Sequence, residues 1–174
     1  TKCGMLPHSG FNMIQDFSEK QLMEDLYLSL RRMNREYVDY WLLHSPNILK
    51  INTKNIFEIM NKVKKIGLIK NFGISLRNPL DYIRIKNLNF DCIEFNFNLL
   101  DQRALDINLI NHCKKRGILT ICRTPLVFGF ISQQNITNKK FSFLDHRRHY
   151  PKKQMQTWEN SKRLFSNESF FEKF

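Results

Sequence analysis

Side chains that can transfer protons or donate hydrogen bonds follow four short apolar segments of this sequence, and a further one is its second residue. They are Lys2, His44-Ser45, Ser75, Asn96 with Asn98, and Arg123-Thr124. Ammonium, imidazole, hydroxyl and guanidinium groups can protonate or stabilise an oxygen atom that becomes negatively charged during a reaction. The pattern therefore predicts a polar site built from the ends of several strands.

The apolar segments alternate with helical patterns. Strands are predicted at residues 37–43, 69–74, 91–95 and 118–122, after the end of an earlier strand at Thr1-Lys2. Helices are predicted at residues 21–30, 56–66, 79–85, 104–116 and 152–165. Ser18 and Gln21 have the spacing of a capping box, and Gly67 closes the second helix. Strand–helix alternation with short links indicates βαβ units and a parallel sheet.

Two parallel architectures compete for this pattern, the open doubly wound sheet and the (β/α)8 barrel. A doubly wound sheet usually carries a glycine-rich phosphate loop after its first strand, and the sequence contains neither G-x-G-x-x-G nor G-x-x-x-x-G-K-[ST]. A barrel collects its chemistry at the carboxyl ends of its strands. Five successive polar strand ends therefore favour an α/β fold of the barrel type.

Composition excludes several classes of protein. The chain has 174 residues, 42% of them hydrophobic, which is typical of a globular domain and too apolar for a disordered chain. The formal net charge is +12, but most Lys and Arg residues are scattered, and the dense basic patch is confined to residues 147–153. We therefore predict a solvated basic face rather than a nucleic-acid site. No uncharged apolar run is long enough for a membrane span.

The cysteines and histidines do not have metal-ligand spacing. None of the four cysteines forms a C-x-x-C pair, and Cys92 and Cys122 lie in apolar runs and are predicted to be small core residues. His146 and His149 lack nearby Cys ligands, so no metal site is predicted. A reducing cytoplasm is the expected compartment.

Seven segments, in order, resemble the aldo/keto reductases of the bacterial type. They are residues 1–2, 29–33, 37–46, 65–70, 72–75, 97–103 and 124–130, and the match is collinear to about Ser132. The resemblance implies a (β/α)8 TIM barrel that uses NADPH, or less often NADH, to reduce a small aldehyde or ketone. It also implies a catalytic tetrad of Asp, Tyr, Lys and His, in which Lys2 and His44 occupy the positions of the lysine and the histidine.

The resemblance covers only part of a barrel. We expect residues 1–174 to form one incomplete domain, running from the end of strand three to just past strand seven, with residues 133–174 as a loop and a C-terminal helix. The first two strands and the last would be missing, together with the Asp and Tyr of the tetrad. We therefore expect the chain to be inactive alone, and a non-catalytic cofactor-binding scaffold is the alternative function.

The resemblance also implies which residues contact the cofactor. They are Ser75, Glu94, Arg123, Thr124, Pro125, Leu126 and Gly129. Ser75 and Glu94 would bind the nicotinamide carboxamide, although Glu94 stands where a Gln is common and a carboxylate cannot donate a hydrogen bond. Arg123 stands where many members have a stacking Tyr. Residues 124–129 would line the pyrophosphate, which backbone N–H groups and Gly129 permit.

Overall fold

The computed structural model describes residues 1–7, 14–131 and 136–161. Two sets of residues pack separately. The first unit comprises Thr1–Asn96 with Arg103–Arg123, and the second comprises Phe97–Gln102 with Thr124–Phe174. The predicted strands all belong to the first unit.

The strands of the first unit form one parallel sheet. They are β1 (Lys2–Cys3), β2 (Val38–His44), β3 (Ile69–Leu76), β4 (Cys92–Asn96) and β5 (Leu119–Arg123). Every strand pairs in parallel with the next one along the chain, so the spatial order equals the sequence order. A doubly wound sheet reverses its strand order at a switch point, and this sheet does not. The predicted partial barrel is confirmed.

Helices connect the strands at close to the predicted positions. In the first unit they are α1 (Glu19–Met33), α2 (Thr53–Lys65), α3 (Tyr82–Ile85), α4 (Arg103–Asp106) and α5 (Leu109–Lys115). The predicted capping interaction is present, because the Ser18 side chain accepts from the backbone N–H of Gln21. Gly67 follows α2 with a φ of +82°, a left-handed conformation that glycine adopts without a steric penalty.

Buried aliphatic side chains fix the helices on the sheet. α1 contributes Leu22, Leu26 and Leu30, which lie on one face at helical spacing. The α2 face that is buried consists of Ile56, Ile59, Met60 and Val63. Among the sheet residues, Trp41, Leu43 and Phe95 are fully buried. The fold that positions the strand ends therefore rests on ordinary apolar packing.

Two local predictions were wrong. The helix predicted at 104–116 is interrupted, because Asn108 has a φ of +53° and separates α4 from α5. Asparagine tolerates this conformation better than most residues, since its short polar side chain can bond locally. Cys122 is exposed rather than part of the core, because it lies on β5 at the edge of the sheet, whereas Cys92 is buried as predicted.

The second unit has a small aromatic core of its own. Phe130 and Met155 are buried, and they pack against partly buried rings of Phe128, Phe141, Tyr150 and Trp158. Helix α6 (Lys152–Asn160) supplies Met155 and Trp158. The predicted last helix begins at the same residue, and its predicted end at Phe165 lies outside the described residues.

Candidate active site

The candidate polar residues of the first unit lie at the carboxyl ends of its strands. His44 is the last residue of β2 and pairs in register with Ser75 on β3. Ser75 pairs in turn with Glu94 on β4, and Arg123 is the last residue of β5. Because parallel strands end at the same edge, the structure gathers these side chains as the sequence pattern predicts.

Glu94 is the centre of this cluster. Its Oε1 lies 2.5 Å from the Nζ of Lys2 and accepts a hydrogen bond of 2.7 Å from the hydroxyl of Ser75. The Nη1 of Arg123 lies 3.7 Å from the same oxygen. Glu94 is 9% exposed, and Ser75 is fully buried. One carboxylate oxygen is therefore shared by two cations and a hydroxyl in a place from which water is largely excluded.

The contact between Lys2 and Glu94 also shows that the sheet is strongly curved. Lys2 is on β1 and Glu94 is on β4, so three strand spacings, about 14 Å in a flat sheet, separate their backbones. Side chains stand roughly perpendicular to a sheet, so in a flat sheet the two would run side by side without meeting. Their 2.5 Å contact requires the strands to curl around a common interior, as barrel strands do.

Arg123 is held by several further acceptors at the same edge. Its Nε donates to the Oδ1 of Asn96 at 2.7 Å, and its Nη2 donates to the carbonyl oxygen of Leu76 at 3.1 Å. The Nη1 group lies 3.4 Å from the hydroxyl of Ser75. The guanidinium therefore spans the ends of β3, β4 and β5, and its orientation is set by the strands themselves.

Lys2 and His44 line one cleft. The cleft has a volume of about 610 Å³ and is bounded by β1, the segment that follows it, and α1. The backbone around His44 is held by Gln15, whose Nε2 donates to the carbonyl oxygens of His44 and Ser45 at 3.1 and 2.9 Å. The two residues that the family resemblance assigns to the tetrad thus face a common space large enough for a small molecule.

Opposing effects act on the Glu94 carboxyl. Burial raises its pKa, but the hydrogen bonds from Lys2 and Ser75 and the positive charges of Lys2 and Arg123 outweigh this effect. The pKa of Glu94 is therefore held below its ordinary value, and the group is a carboxylate at neutral pH.

This pKa shift predicts a pH-dependent contribution of Glu94 to stability. A carboxyl whose folded-state pKa is depressed stabilises the fold above its unfolded pKa, about 4.3, and loses that contribution as the pH falls through its folded-state pKa. We expect the difference in unfolding free energy between the wild type and Glu94→Gln to be largest near pH 6 to 7. Urea unfolding at several pH values should show this difference shrinking toward pH 3, and a difference independent of pH would contradict the prediction.

The loop from Thr124 to Gly129 belongs to the second unit. Thr124, Val127 and Phe128 have positive φ angles of 58°, 48° and 57°, which are unusual for non-glycine residues, and Gly129 has a φ of 89°. Asn98 holds the loop by donating to the carbonyl oxygen of Thr124 at 3.1 Å. The result is a tight turn under backbone strain, a feature that is often found at functional sites.

Two of the loop's backbone N–H groups are used within it. Val127 donates to the carbonyl oxygen of Thr124 at 3.0 Å, and Gly129 donates to that of Leu126 at 2.9 Å. The predicted role of Pro125, Leu126 and Gly129 around a pyrophosphate stays a prediction, and these two amides would have to exchange partners to take part in it.

His146 of the basic segment takes part in aromatic packing. The His146 ring lies 5.4 Å from that of Phe128 and 6.1 Å from that of Tyr150. Beside it, hydrogen bonds from Arg147 lower the pKa of the Asp145 carboxyl to about 2. Within the described ranges, no group of three or more His, Cys, Asp or Glu residues is arranged to hold a metal ion.

A sequence profile of the aldo/keto reductase family matches residues 1–171. The chain belongs to the aldo/keto reductase family. Among curated members, the NADH-specific methylglyoxal reductase of Escherichia coli K12 is 26% identical over 145 residues, which are 76% of this chain and 44% of that protein. The NADPH-dependent alpha-keto amide reductase of Saccharomyces cerevisiae is 28% identical over 134 residues, 69% of this chain and 42% of that protein.

Solved structures of other aldo/keto reductases share the fold. A glycerol dehydrogenase from Gluconobacter oxydans superposes with a TM-score of 0.69 at 19% identity, covering 94% of this chain and 52% of that one. The holo form of an aldo-keto reductase from Bacillus halodurans gives 0.66 at 22% identity, covering 92% and 52%. The chain spans less than half the length of the curated relatives that it matches.

Two features of this candidate site are not predicted from the sequence. Glu94 is predicted to bind the cofactor, and its ion pair with Lys2 is not expected, although opposite charges at the ends of strands in one barrel are a usable signal. The second feature is Gln15, whose side chain donates to the backbone at His44. No sequence pattern marks Gln15, because the contact depends on how the segment after β1 returns over β2.

Proposed function

We propose that this chain carries the site of an NAD(P)H-dependent oxidoreductase that reduces the carbonyl group of a small aldehyde or ketone. The observation that supports this most directly is that Lys2 and His44 line one cleft, with Lys2 ion-paired to Glu94. The related methylglyoxal and alpha-keto amide reductases act, by their names, on carbonyl compounds with NADH and NADPH respectively.

The polar groups around Glu94 match the needs of a nicotinamide carboxamide. That group has one carbonyl acceptor and an NH₂ donor, and the Nη1 group of Arg123, which donates to Ser75 in this structure, would turn to the carboxamide when the cofactor binds. Among the described residues, the contacts made to Glu94 all reach Oε1, so Oε2 can accept from an NH₂ group. The residues present therefore fit NADP or NAD, which would supply a hydride when bound.

Lys2 and His44 would act on the carbonyl oxygen of the substrate. Reduction leaves negative charge on that oxygen, and the charge must be stabilised or protonated as it develops. The imidazole of His44 can donate a hydrogen bond that holds the oxygen in place, while the ammonium of Lys2 stabilises negative charge in the cleft. The loop at Thr124, Pro125, Leu126 and Gly129 is proposed to bind the cofactor's phosphates.

Replacing Arg123 tests the cofactor assignment. We expect Arg123→Leu to weaken NADPH binding about tenfold, because the guanidinium is the principal hydrogen-bond donor for a carboxamide at this edge and a bond to a charged group is worth about 1.5 kcal/mol. Binding to the purified chain is measured by titration of NADPH fluorescence.

The matched control is Arg116→Leu. Arg116 donates to the carbonyl oxygen of Lys86 and to Asn89, next to the start of β5 rather than its end, so NADPH affinity should be unchanged. Equal effects of the two substitutions would indicate general loss of positive charge and would count against a carboxamide site at Arg123.

The alternative function is a cofactor-binding scaffold without catalysis. It is favoured by one observation: Glu94, which stands where a Gln is common, holds Lys2 in an ion pair, so the ammonium assigned to the tetrad already has a structural partner. In a protein that also supplies the Asp and Tyr of the tetrad, NADPH binding without oxidation of NADPH by any member of a panel of aldehydes and ketones would support it. Turnover of any member of the panel would exclude it.

The proposed compartment and the proposed partner are consistent with this function. All four cysteines are free, which agrees with a reducing cytoplasm. Across the described part of the chain, the helices are too short or too polar to traverse a bilayer. A small carbonyl compound is the proposed partner, and the scattered surface charge is not proposed to bind nucleic acid.

A further inference from the structure

Glu94 is a buried carboxylate that lies between two cations. Lys2 and Arg123 approach the same oxygen at 2.5 and 3.7 Å. With Glu94 ionised the three side chains carry a net charge of +1, and without it they would carry +2 around the buried hydroxyl of Ser75. Two positive charges that both lie within 4 Å of one buried oxygen repel each other strongly, because little water screens them.

The two cations depend on Glu94 to different degrees. Arg123 has Asn96, the carbonyl oxygen of Leu76 and Ser75 as further contacts. Among the described residues, Glu94 is the acceptor to which the ammonium of Lys2 donates.

We propose that Glu94 is a positioning residue that acts as the counter-ion of Lys2, holding the ammonium in place and balancing the positive charge of the site. Where the site binds a nicotinamide, which rests on the proposed function, this balance has a further consequence. The oxidised ring carries a positive charge that the reduced ring lacks, so Glu94 favours retention of the oxidised cofactor beside Lys2 and Arg123.

The first measurement tests the ion pair and requires no cofactor. The folded 174-residue chain is treated briefly with a limiting amount of acetic anhydride, and modification of Lys2 is quantified by mass spectrometry, with fragment ions separating it from the α-amine of Thr1. We expect Glu94→Gln to raise modification of Lys2 severalfold, because Nζ loses its acceptor. An unchanged Lys2 would overturn the proposal.

A second ion pair provides the matched control. Lys70 lies 3.1 Å from Asp39 at the opposite end of the sheet, where both side chains are exposed. Because Lys70 also donates to the hydroxyl of Tyr37 at 3.1 Å, Asp39→Asn should raise its modification only slightly and leave Lys2 unchanged, while Glu94→Gln should leave Lys70 unchanged. Increases at both lysines in Glu94→Gln would reveal general loosening of the fold and would also overturn the proposal.

The second measurement compares oxidised and reduced cofactors. We expect Glu94→Gln to raise the ratio of the NADP⁺ and NADPH dissociation constants roughly three- to tenfold, because charge is the feature that distinguishes the two rings. Both rings carry the same carboxamide, so an equal effect on both constants would mean that Glu94 acts by hydrogen bonding and not as a counter-ion. Glu94→Asp keeps the charge and should restore most of the wild-type ratio.

The two measurements separate the proposals. If the wild-type chain binds neither cofactor, the cofactor assignment fails, and the labelling of Lys2 still decides whether Glu94 is its counter-ion. If Glu94→Gln does not fold, Glu94→Asp replaces it in the labelling experiment, with a smaller expected rise because its shorter side chain reaches Nζ less well.

Discussion

Gly73→Ala is expected to destabilise the first unit by about 3 kcal/mol, the upper end of the cost of overpacking a tight core. Gly73 lies inside β3 and pairs with Leu42 on one side and Cys92 on the other. A β-carbon at this position would lie 2.2 Å from the carbonyl oxygen of Cys92. Neither neighbouring strand can yield without breaking parallel hydrogen bonds, so the clash must be relieved by distorting the centre of the sheet.

Urea unfolding provides the measurement for Gly73→Ala. Trp41, which is buried on β2, reports on the first unit when Trp158 of the second unit is replaced by Phe. Gly67→Ala is the control, because Gly67 has open space where a β-carbon would be placed. Its φ of +82° should cost only about 1 kcal/mol, and equal losses for the two glycines would refute the packing argument.

His44→Ala is expected to lower the turnover number for carbonyl reduction by at least about 100-fold, a typical contribution of a positioned proton-transferring or hydrogen-bonding side chain. The imidazole lines the cleft shared with Lys2, at the end of β2. NADPH affinity should change little, because the residues proposed to hold the carboxamide are on β3, β4 and β5. The rate is followed as NADPH oxidation by a protein that also supplies the Asp and Tyr of the tetrad.

His112→Ala is the matched control for His44. The ring of His112 bonds to the hydroxyl of Tyr82 through Nδ1 at 2.7 Å, and it lies on α5, away from the strand ends. Its replacement should leave the turnover number unchanged at temperatures where the protein stays folded. Near-normal turnover for His44→Ala would remove His44 from the proposed mechanism.

Local sequence patterns predicted the elements of this protein well, because they depend on neighbours along the chain. Apolar spacing located α1 and α2, and the Ser18 cap was visible from two residues. Polar residues after successive apolar runs located the polar edge of the sheet, since parallel strands present their carboxyl ends together. The barrel followed from these short-range signals.

Patterns of residues predicted the structure less well where a single residue sets the backbone conformation. Asn108 interrupts the helix predicted at 104–116, although asparagine in a helical pattern is not by itself a reliable break. Cys122 has apolar neighbours in sequence and is exposed, because only the pairing of strands shows that β5 is at the edge. Whether a strand is exposed depends on its position in the sheet, and the residue types of the strand itself do not show that position.

By itself, the sequence determined the alternation of strands and helices, the parallel sheet and the membership of Lys2, His44, Ser75 and Arg123 in one polar edge. Only the tertiary structure decided that Glu94 pairs with Lys2. The two residues are 92 positions apart in sequence and three strands apart in the sheet. They meet because the strands curl as in a barrel, and which side chains a barrel brings together depends on how all the strands and helices pack, so no local pattern of residues encodes this pair.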